Sequence, residues 1–420
     1  MGASNENGFL RHIVSLLGLL GVSSSALALD PMPVNRGSQI EFVPTLSIAQ
    51  GYDDNVDQAP SGDERSSNVT RLTPDFLFRS QERANQYQFR YRPELLRYSH
   101  ESDDNRVDHR ATANARLTFD ARNRLTLISS ASRTKALLND TNREAEESEG
   151  DINEQISVDA THRFGATDAP GALQFRLGHL WNRYANNLTT VETEEGRVGS
   201  NKQSKEYDSL RLGSTFFWQV APKTRMFIEG RYTDFDYLWA PSTLGSTNMS
   251  ALAGVTWLAT GKTEGSFRIG RERKDFDEAS QSDEAITRWQ ARLIWRPIER
   301  SEWVLVTQNS LEEGSESALG LVNERAIEQT SWSLNWRHQW DDRWRSDIGY
   351  SQVDRAYVAD TGENAGREDE LTTLSLGVQY RMRRWLEFGF EARFRENDSS
   401  IGEASSYEQG TYFLTTTISL

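Results

Sequence analysis

The chain has 420 residues, no cysteine, 62 acidic against 47 basic side chains and a mean hydropathy of -0.68. Apolar residues make up 36%, too few for the two or three packed cores that this length would ordinarily hold. The 10% of Phe, Trp and Tyr argues equally against disorder, and the absence of cysteine excludes a disulfide scaffold, a thiolate metal site, a cysteine nucleophile and a lipid-modified N-terminal cysteine.

Residues 1-28 read as a cleaved secretory signal peptide. Arg11 and His12 close a basic n-region, Ile13 to Val22 form the apolar run, and Ala26-Leu27-Ala28 supplies a small-x-small cleavage site. Glu6 and Arg11 cancel, so removal of this segment leaves the formal net charge of -15 unchanged. Residues 29-38 are expected to form a short periplasmic segment, and no later stretch approaches the ~20 apolar residues of a spanning helix.

From Ile40 onward apolar and polar residues alternate in runs of about ten, the signature of strands with lipid on one face and water on the other. Ile40, Phe42, Pro44, Leu46 and Ile48 share one parity in the first run. Later, Trp289, Ala291, Leu293 and Trp295 alternate with Arg288, Gln290, Arg292 and Arg296. Such runs predict strands near 39-51, 69-80, 86-98, 109-120, 124-133, 155-164, 172-183, 208-220, 225-236, 249-259, 264-274, 285-296, 301-311, 328-340, 344-353, 371-380, 385-396 and 410-420. The expected fold is therefore all-β: residues 39-420 form one transmembrane, antiparallel, up-and-down outer-membrane β-barrel of about 18 strands, with 16 to 20 allowed by boundary error.

The links alternate as well. Short ones, such as Ala221 to Thr224, Thr260 to Thr263 and Asp341 to Arg343, follow even-numbered strands, while long polar ones, such as Asp53 to Asn68 and Tyr184 to Asp208, follow odd ones. Short periplasmic turns, long external loops and an even count place both termini in the periplasm. Trp218, Trp257, Trp295, Trp303, Trp340, Trp344 and Trp385 all lie beside the short turns, as a periplasmic aromatic girdle would require.

A barrel of this size needs no side-chain plug, so an aqueous lumen is expected. The polar parity facing it carries Arg71, Arg90, Arg92, Arg110, Arg116, Arg176, Arg211, Arg231, Arg268, Arg288, Arg292, Arg337, Arg393 and Arg395, the expected lining of a substrate channel. It also carries Arg79, Arg163, Arg296 and Arg345. Opposite them stand Glu41, Asp75, Glu94, Asp159, Glu229, Glu272, Glu302, Asp347, Glu387 and Glu391, leaving an excess of eight positive charges inside an acidic chain. Guanidinium forks bind carboxylate and phosphate bidentately and stay charged, which favours an anionic or hydroxyl-rich solute. The competing reading is that these arginines brace the wall by pairing with the inward acids.

Catalytic signatures are missing. The six histidines are scattered, H-E-x-x-H and G-x-S-x-G do not occur, and the lone S-x-x-K at Ser132 to Lys135 lacks its partner motifs. Asp53, Asp54, Asn55 and Asp57 lack the ligand spacing of a Ca²⁺ loop and read as a solvated charge run. No enzyme activity, cofactor, metal site or nucleic-acid partner is expected.

Phe42-Val43-Pro44-Thr45-Leu46, followed by Gly51-Tyr52-Asp53-Asp54-Asn55-Val56 and by Leu72-Thr73-Pro74-Asp75-Phe76, resembles the start of the putative β-barrel porin 2 family. That resemblance covers the first two strands. It implies an outer-membrane channel that exports an exopolysaccharide and works with separate periplasmic and inner-membrane export components. The other expected partners are outer-membrane lipid and lipopolysaccharide, the barrel-assembly machinery and the polysaccharide itself. Inward Phe217 and Phe227 would suit a hydrated sugar chain. The alternatives are an anion-selective diffusion porin and a structural or adhesive barrel.

Overall fold

The structure is a computed structural model that describes residues 32–100, 104–135, 151–166, 169–185, 190–193, 196–199, 202–239, 242–316, 322–362 and 364–419. The signal-peptide reading lies outside these residues.

Eighteen strands run in chain order around one closed antiparallel sheet. They are β1 (Glu41–Asp53), β2 (Ser67–Glu82), β3 (Asn85–Tyr98), β4 (Arg106–Thr118), β5 (Asn123–Lys135), β6 (Ile152–Phe164) and β7 (Gly171–Tyr184), then β10 (Tyr207–Ala221), β11 (Thr224–Tyr237), β12 (Ser246–Thr260) and β13 (Thr263–Phe276). The circuit continues through β14 (Glu284–Ile298), β15 (Ser301–Glu316), β16 (Val322–Gln339), β17 (Trp344–Val358), β18 (Glu368–Arg383), β19 (Leu386–Ser399) and β20 (Tyr407–Ser419). Between β7 and β10 a separate hairpin of β8 (Thr190–Thr193) and β9 (Gly196–Gly199) stands outside the barrel sheet. Pairing of β1 with β20, from Thr45↔Ser419 to Asp53↔Thr411, closes the circle.

Strand count and order agree with the sequence pattern, and the ends differ. β15 and β16 reach 16 and 18 residues, beyond the predicted 301-311 and 328-340, because they pair with each other past the point where β15 leaves β14. The β8–β9 hairpin was not anticipated, since its short polar strands show no alternation.

Lipid dictates the outer face. Phe175, Leu177, Leu212, Phe216, Ile228, Ile269, Leu305, Ile348, Phe390 and Leu414 are all exposed on one parity, where a water-soluble fold would bury them. All seven predicted girdle tryptophans sit at the short-turn end. Trp303 stacks on Trp336 at 5.7 Å between ring centroids, and Trp344 lies 4.6 Å from Tyr380. Further up the same face of β16, Trp332 lies 4.9 Å from Tyr350. Eight positions separate Trp332 from Trp340, just past the end of β16, roughly 27 Å along a strand and about 21 Å after tilt, close to the ~25 Å apolar band of such barrels.

Candidate functional site: the lumen wall and its mouth

Directly opposed residues in an antiparallel ladder share a face, so the registers fix which side chains point inward. Arg92↔Arg110, Arg176↔Gly213↔Arg231, Arg268↔Gln290 and Arg393↔Thr411 fall on the polar side, as do the rest of the predicted lumen arginines. All fourteen predicted channel residues face the lumen.

They gather in two belts. On β6 to β14, Arg176, Arg211, Arg231, Arg268 and Arg288 surround Asp159, Glu229 and Glu272. Glu229 holds both Arg231 and Arg268, the latter at 2.8 Å, while Arg211 reaches Asp159 at 3.2 Å and Arg288 pairs with Glu272. On β19 to β3, Arg71, Arg90, Arg92, Arg393 and Arg395 surround Asp75, Glu94 and Glu391. Arg90 Nε lies 2.8 and 2.9 Å from the two Asp75 oxygens, and Arg71 meets Glu391 at 3.2 Å. Nearer the short turns, Arg337 and Arg345 share Asp347, and Arg296 bridges Glu264 and Glu302. Arg292, beside Arg296, and Arg110 and Arg116 on β4 stand outside both belts.

Several of these pairs cross an intervening strand, and glycine makes that possible. Asp159 on β6 meets Arg211 on β10 across Gly178 of β7, where a Cβ would overlap the Asp159 carboxylate. Arg71 lies over the Phe413 ring at 4.3 Å, and the ring in turn fills the space that a Cβ on Gly51 would need. Guanidinium groups can therefore lie flat on the wall instead of blocking the lumen.

Bracing accounts for part of the wall only. Among the described residues, Arg92, Arg110, Arg116, Arg163, Arg176, Arg292, Arg393 and Arg395 form no ion pair with a carboxylate. The Nε groups of Arg292 and Arg395 are buried without an acceptor. Sequence parity missed inward Arg124, Arg225 and Lys274, each the terminal residue of its predicted strand.

Two expectations need correction. Phe217 and Phe227 are not available to stack on a sugar: both are buried, packed on each other at 5.5 Å, and covered by Arg163 at 4.8 Å and Arg268 at 5.6 Å respectively. The Asp53 to Asp57 run is not solvated. Asp53 accepts both bonds from Gln409 Nε2, Asn55 Nδ2 donates to the carbonyls of Ala59 and Glu408, and Asp57 pairs with Arg65. Val56 packs beneath them on inward Val69, Leu96, Tyr98 and Phe413, so this loop folds toward the lumen because it carries an apolar residue to bury there.

The other side of the mouth is covered by the β15–β16 hairpin. Its ladder with β14 stops at Trp289↔Asn309, whereas β15 and β16 pair on to Glu316↔Val322. Beyond that point the hairpin leans over β14 on a small apolar cluster of Ile286, Leu311, Ala326 and Val358. Glu313 reaches Lys274 of β13 and Tyr237 of β11. Glu316 accepts from the N–H and hydroxyl of Thr243, and its carbonyl accepts from Ser204 Oγ in the connection before β10. On the opposite flank Glu324 accepts from Ser315 and Asn364, and Arg325 pairs with Glu284 and Asp360.

A search of curated proteins finds no match for the chain. Solved structures with a similar fold include Pseudomonas aeruginosa OpdO, at 12% identity and a TM-score of 0.45 over 90% of this chain and 97% of that one. Acinetobacter baumannii OccAB4 matches at 10% and 0.45 over 92% and 100%, and P. aeruginosa OprD at 9% and 0.44 over 94% and 97%. Likenesses this distant carry no argument about what passes through the barrel. The family model described as putative beta-barrel porin 2 matches residues 35–418, which take in all eighteen barrel strands but for the last residue of β20. The chain is an outer-membrane β-barrel of the porin type and belongs to the putative beta-barrel porin 2 family.

Proposed function

We propose that this barrel is an anion-preferring outer-membrane channel, with its long loops outside the cell and its termini and short turns in the periplasm. The observation that carries the reading is the set of lumen arginines without a carboxylate partner, Arg92, Arg176, Arg292 and Arg393 foremost. A paired arginine is close to a neutral dipole for a passing ion, while an unpaired one contributes its full charge. Among the described residues the wall brings together no constellation that would activate a nucleophile or hold two carboxylates as acid and base, and the reading is of a conduit without chemistry. Reversal potentials of the purified protein in planar bilayers under a KCl gradient test this. Chloride preference is expected, and potassium preference would refute it.

A second, finer reading gives the cargo as an acidic exopolysaccharide leaving the cell. It rests on the family's first-hairpin motif and on a wall that alternates guanidinium with hydroxyl and amide groups suited to a hydrated chain. The covered Phe217 and Phe227 count against a sugar-stacking track, so recognition would run through charge. Deleting the gene and measuring surface polysaccharide separates the two: loss of polymer favours export, whereas unchanged polymer with impaired uptake of small anions favours diffusion.

A further inference from the structure

We propose that Lys274, Tyr237, Phe235 and Phe276 form a carboxylate-binding site at the mouth, that Glu313 of the folded-over hairpin is its resident occupant, and that a carboxylate-bearing solute displaces it. The inference rests on the anion-conduction reading and adds what opens the path.

The site is built for an anion. Lys274 is 0% exposed, and its Nζ lies 4.9 Å from the Phe235 ring and 5.4 Å from the Phe276 ring. An ammonium buried among aromatic faces needs a counter-ion. The one that meets it is Glu313, whose Oε1 is 2.6 Å from Nζ and whose Oε2 accepts from the Tyr237 hydroxyl at 3.1 Å. Both carboxylate oxygens are thus held, one by charge and one by a neutral donor, as a uronic-acid carboxylate could be.

The occupant arrives on a segment, residues 310–316, that has left the β14 ladder while staying paired to β16. Beyond the apolar contact on Ile286 and the Arg325–Glu284 pair, the hairpin's ties across the mouth are side-chain bonds from Glu313 and Glu316 together with the Ser204 hydroxyl on the Glu316 carbonyl. Bonds of that kind exchange individually, whereas a strand ladder yields only as a unit. The end of β15 reads Glu312-Glu313-Gly314-Ser315-Glu316, and Glu312 lies in the electrostatic neighbourhood of Arg288 at the top of the first arginine belt. The hairpin therefore lays closely spaced carboxylates where an entering or leaving polyanion would lie.

The test uses the full-length barrel in planar bilayers, with sodium oligogalacturonate as probe and uncharged maltohexaose as control. Glu313→Gln keeps the shape and removes the charge. A trimmed channel, with residues 313–326 replaced by Asn-Gly between the paired Glu312 and Ile327, removes the occupant. Both variants should conduct at least twofold more than wild type, and oligogalacturonate, but not maltohexaose, should raise the open probability of wild type while leaving E313Q unchanged. Wild-type conductance in the trimmed channel, or block without opening by oligogalacturonate, overturns the proposal. The same records give ion selectivity: a trimmed channel with unaltered conductance that still prefers chloride sinks the displaceable occupant alone, while potassium preference sinks the conduction reading beneath it.

Discussion

Neutralising Arg92, Arg176, Arg292 and Arg393 together to Gln should reduce the anion-to-cation permeability ratio about fivefold. Eighteen strands spaced ~4.8 Å apart and tilted by ~40° give a backbone circumference of about 113 Å and a radius of about 18 Å. Arginine reaches roughly 7 Å inward, so each charge sits about 11 Å from the axis. In water a unit charge at that distance is worth ~0.4 kcal/mol, and the ~10 Å Debye length at 0.1 M salt cuts it to ~0.13 kcal/mol. Anion and cation respond with opposite sign, so one arginine changes the ratio by about 1.5-fold and four by about fivefold. None of the four is in an ion pair among the described residues, so the change should not be offset by a rearranged partner. Reversal potentials at 0.1 M and 1 M KCl supply the assay, with heat-modifiable gel mobility confirming a folded barrel. The effect should nearly vanish at 1 M, where the screening length is ~3 Å. An unchanged ratio at 0.1 M would refute the claim that lumen arginines set selectivity.

Three other outcomes follow from the geometry. Gly270→Ala should lower stability by ~1–3 kcal/mol, because its Cβ would overlap the Ala251 carbonyl of the neighbouring strand, while Gly230→Ala, which meets open space, should be neutral; denaturant titration of the refolded barrel checks both. In the turn after β16, the N–H groups of Arg343 and Trp344 bond the Asp341 carboxylate and hold its pKa below the usual range. Its contribution is present above the unfolded value of about 4 and is lost as pH falls through the lowered folded value. The stability gap between wild type and Asp341→Ala, followed by the same titration, should therefore be open at pH 6 and close in acid. Replacing Trp303 and Trp336 by Leu should leave the strands intact but weaken quenching of tryptophan fluorescence by lipids brominated near the headgroup, since that stacked pair lies at the short-turn interface.

Strand number and facing were legible because lipid imposes period two on every strand, as the parity of Trp289, Leu293 and Trp295 against Arg288 and Arg292 illustrates. Which arginines pair was not. Arg211 with Asp159 and Arg71 with Glu391 join strands that are not neighbours, and the glycines and ring beneath them mean nothing until the registers are known. The mouth was illegible for a related reason. Glu312 and Glu313 break the alternation, which marks departure from the wall but not its direction, and the partners of Glu313 and Glu316 lie tens of residues away at Lys274, Tyr237 and Thr243. The Asp53 to Asp57 run looked solvated because composition cannot foresee that Val56 carries it inward.

The seam between the first and last strands has a kinetic meaning. Ser47 and Thr417, whose hydroxyls sit 2.9 Å apart, are separated by 370 positions in the chain, and Asn55 and Asp53 tie the first loop to Glu408 and Gln409 across the same join. Hairpin after hairpin can form from local contacts, but these last bonds gather the greatest loop-closure entropy in the molecule. An unzipped seam would leave two bare strand edges within the bilayer, which lipid cannot hydrogen-bond. Insertion and closure are therefore expected to be one concerted event, with the chain committed to the membrane only when its two ends meet.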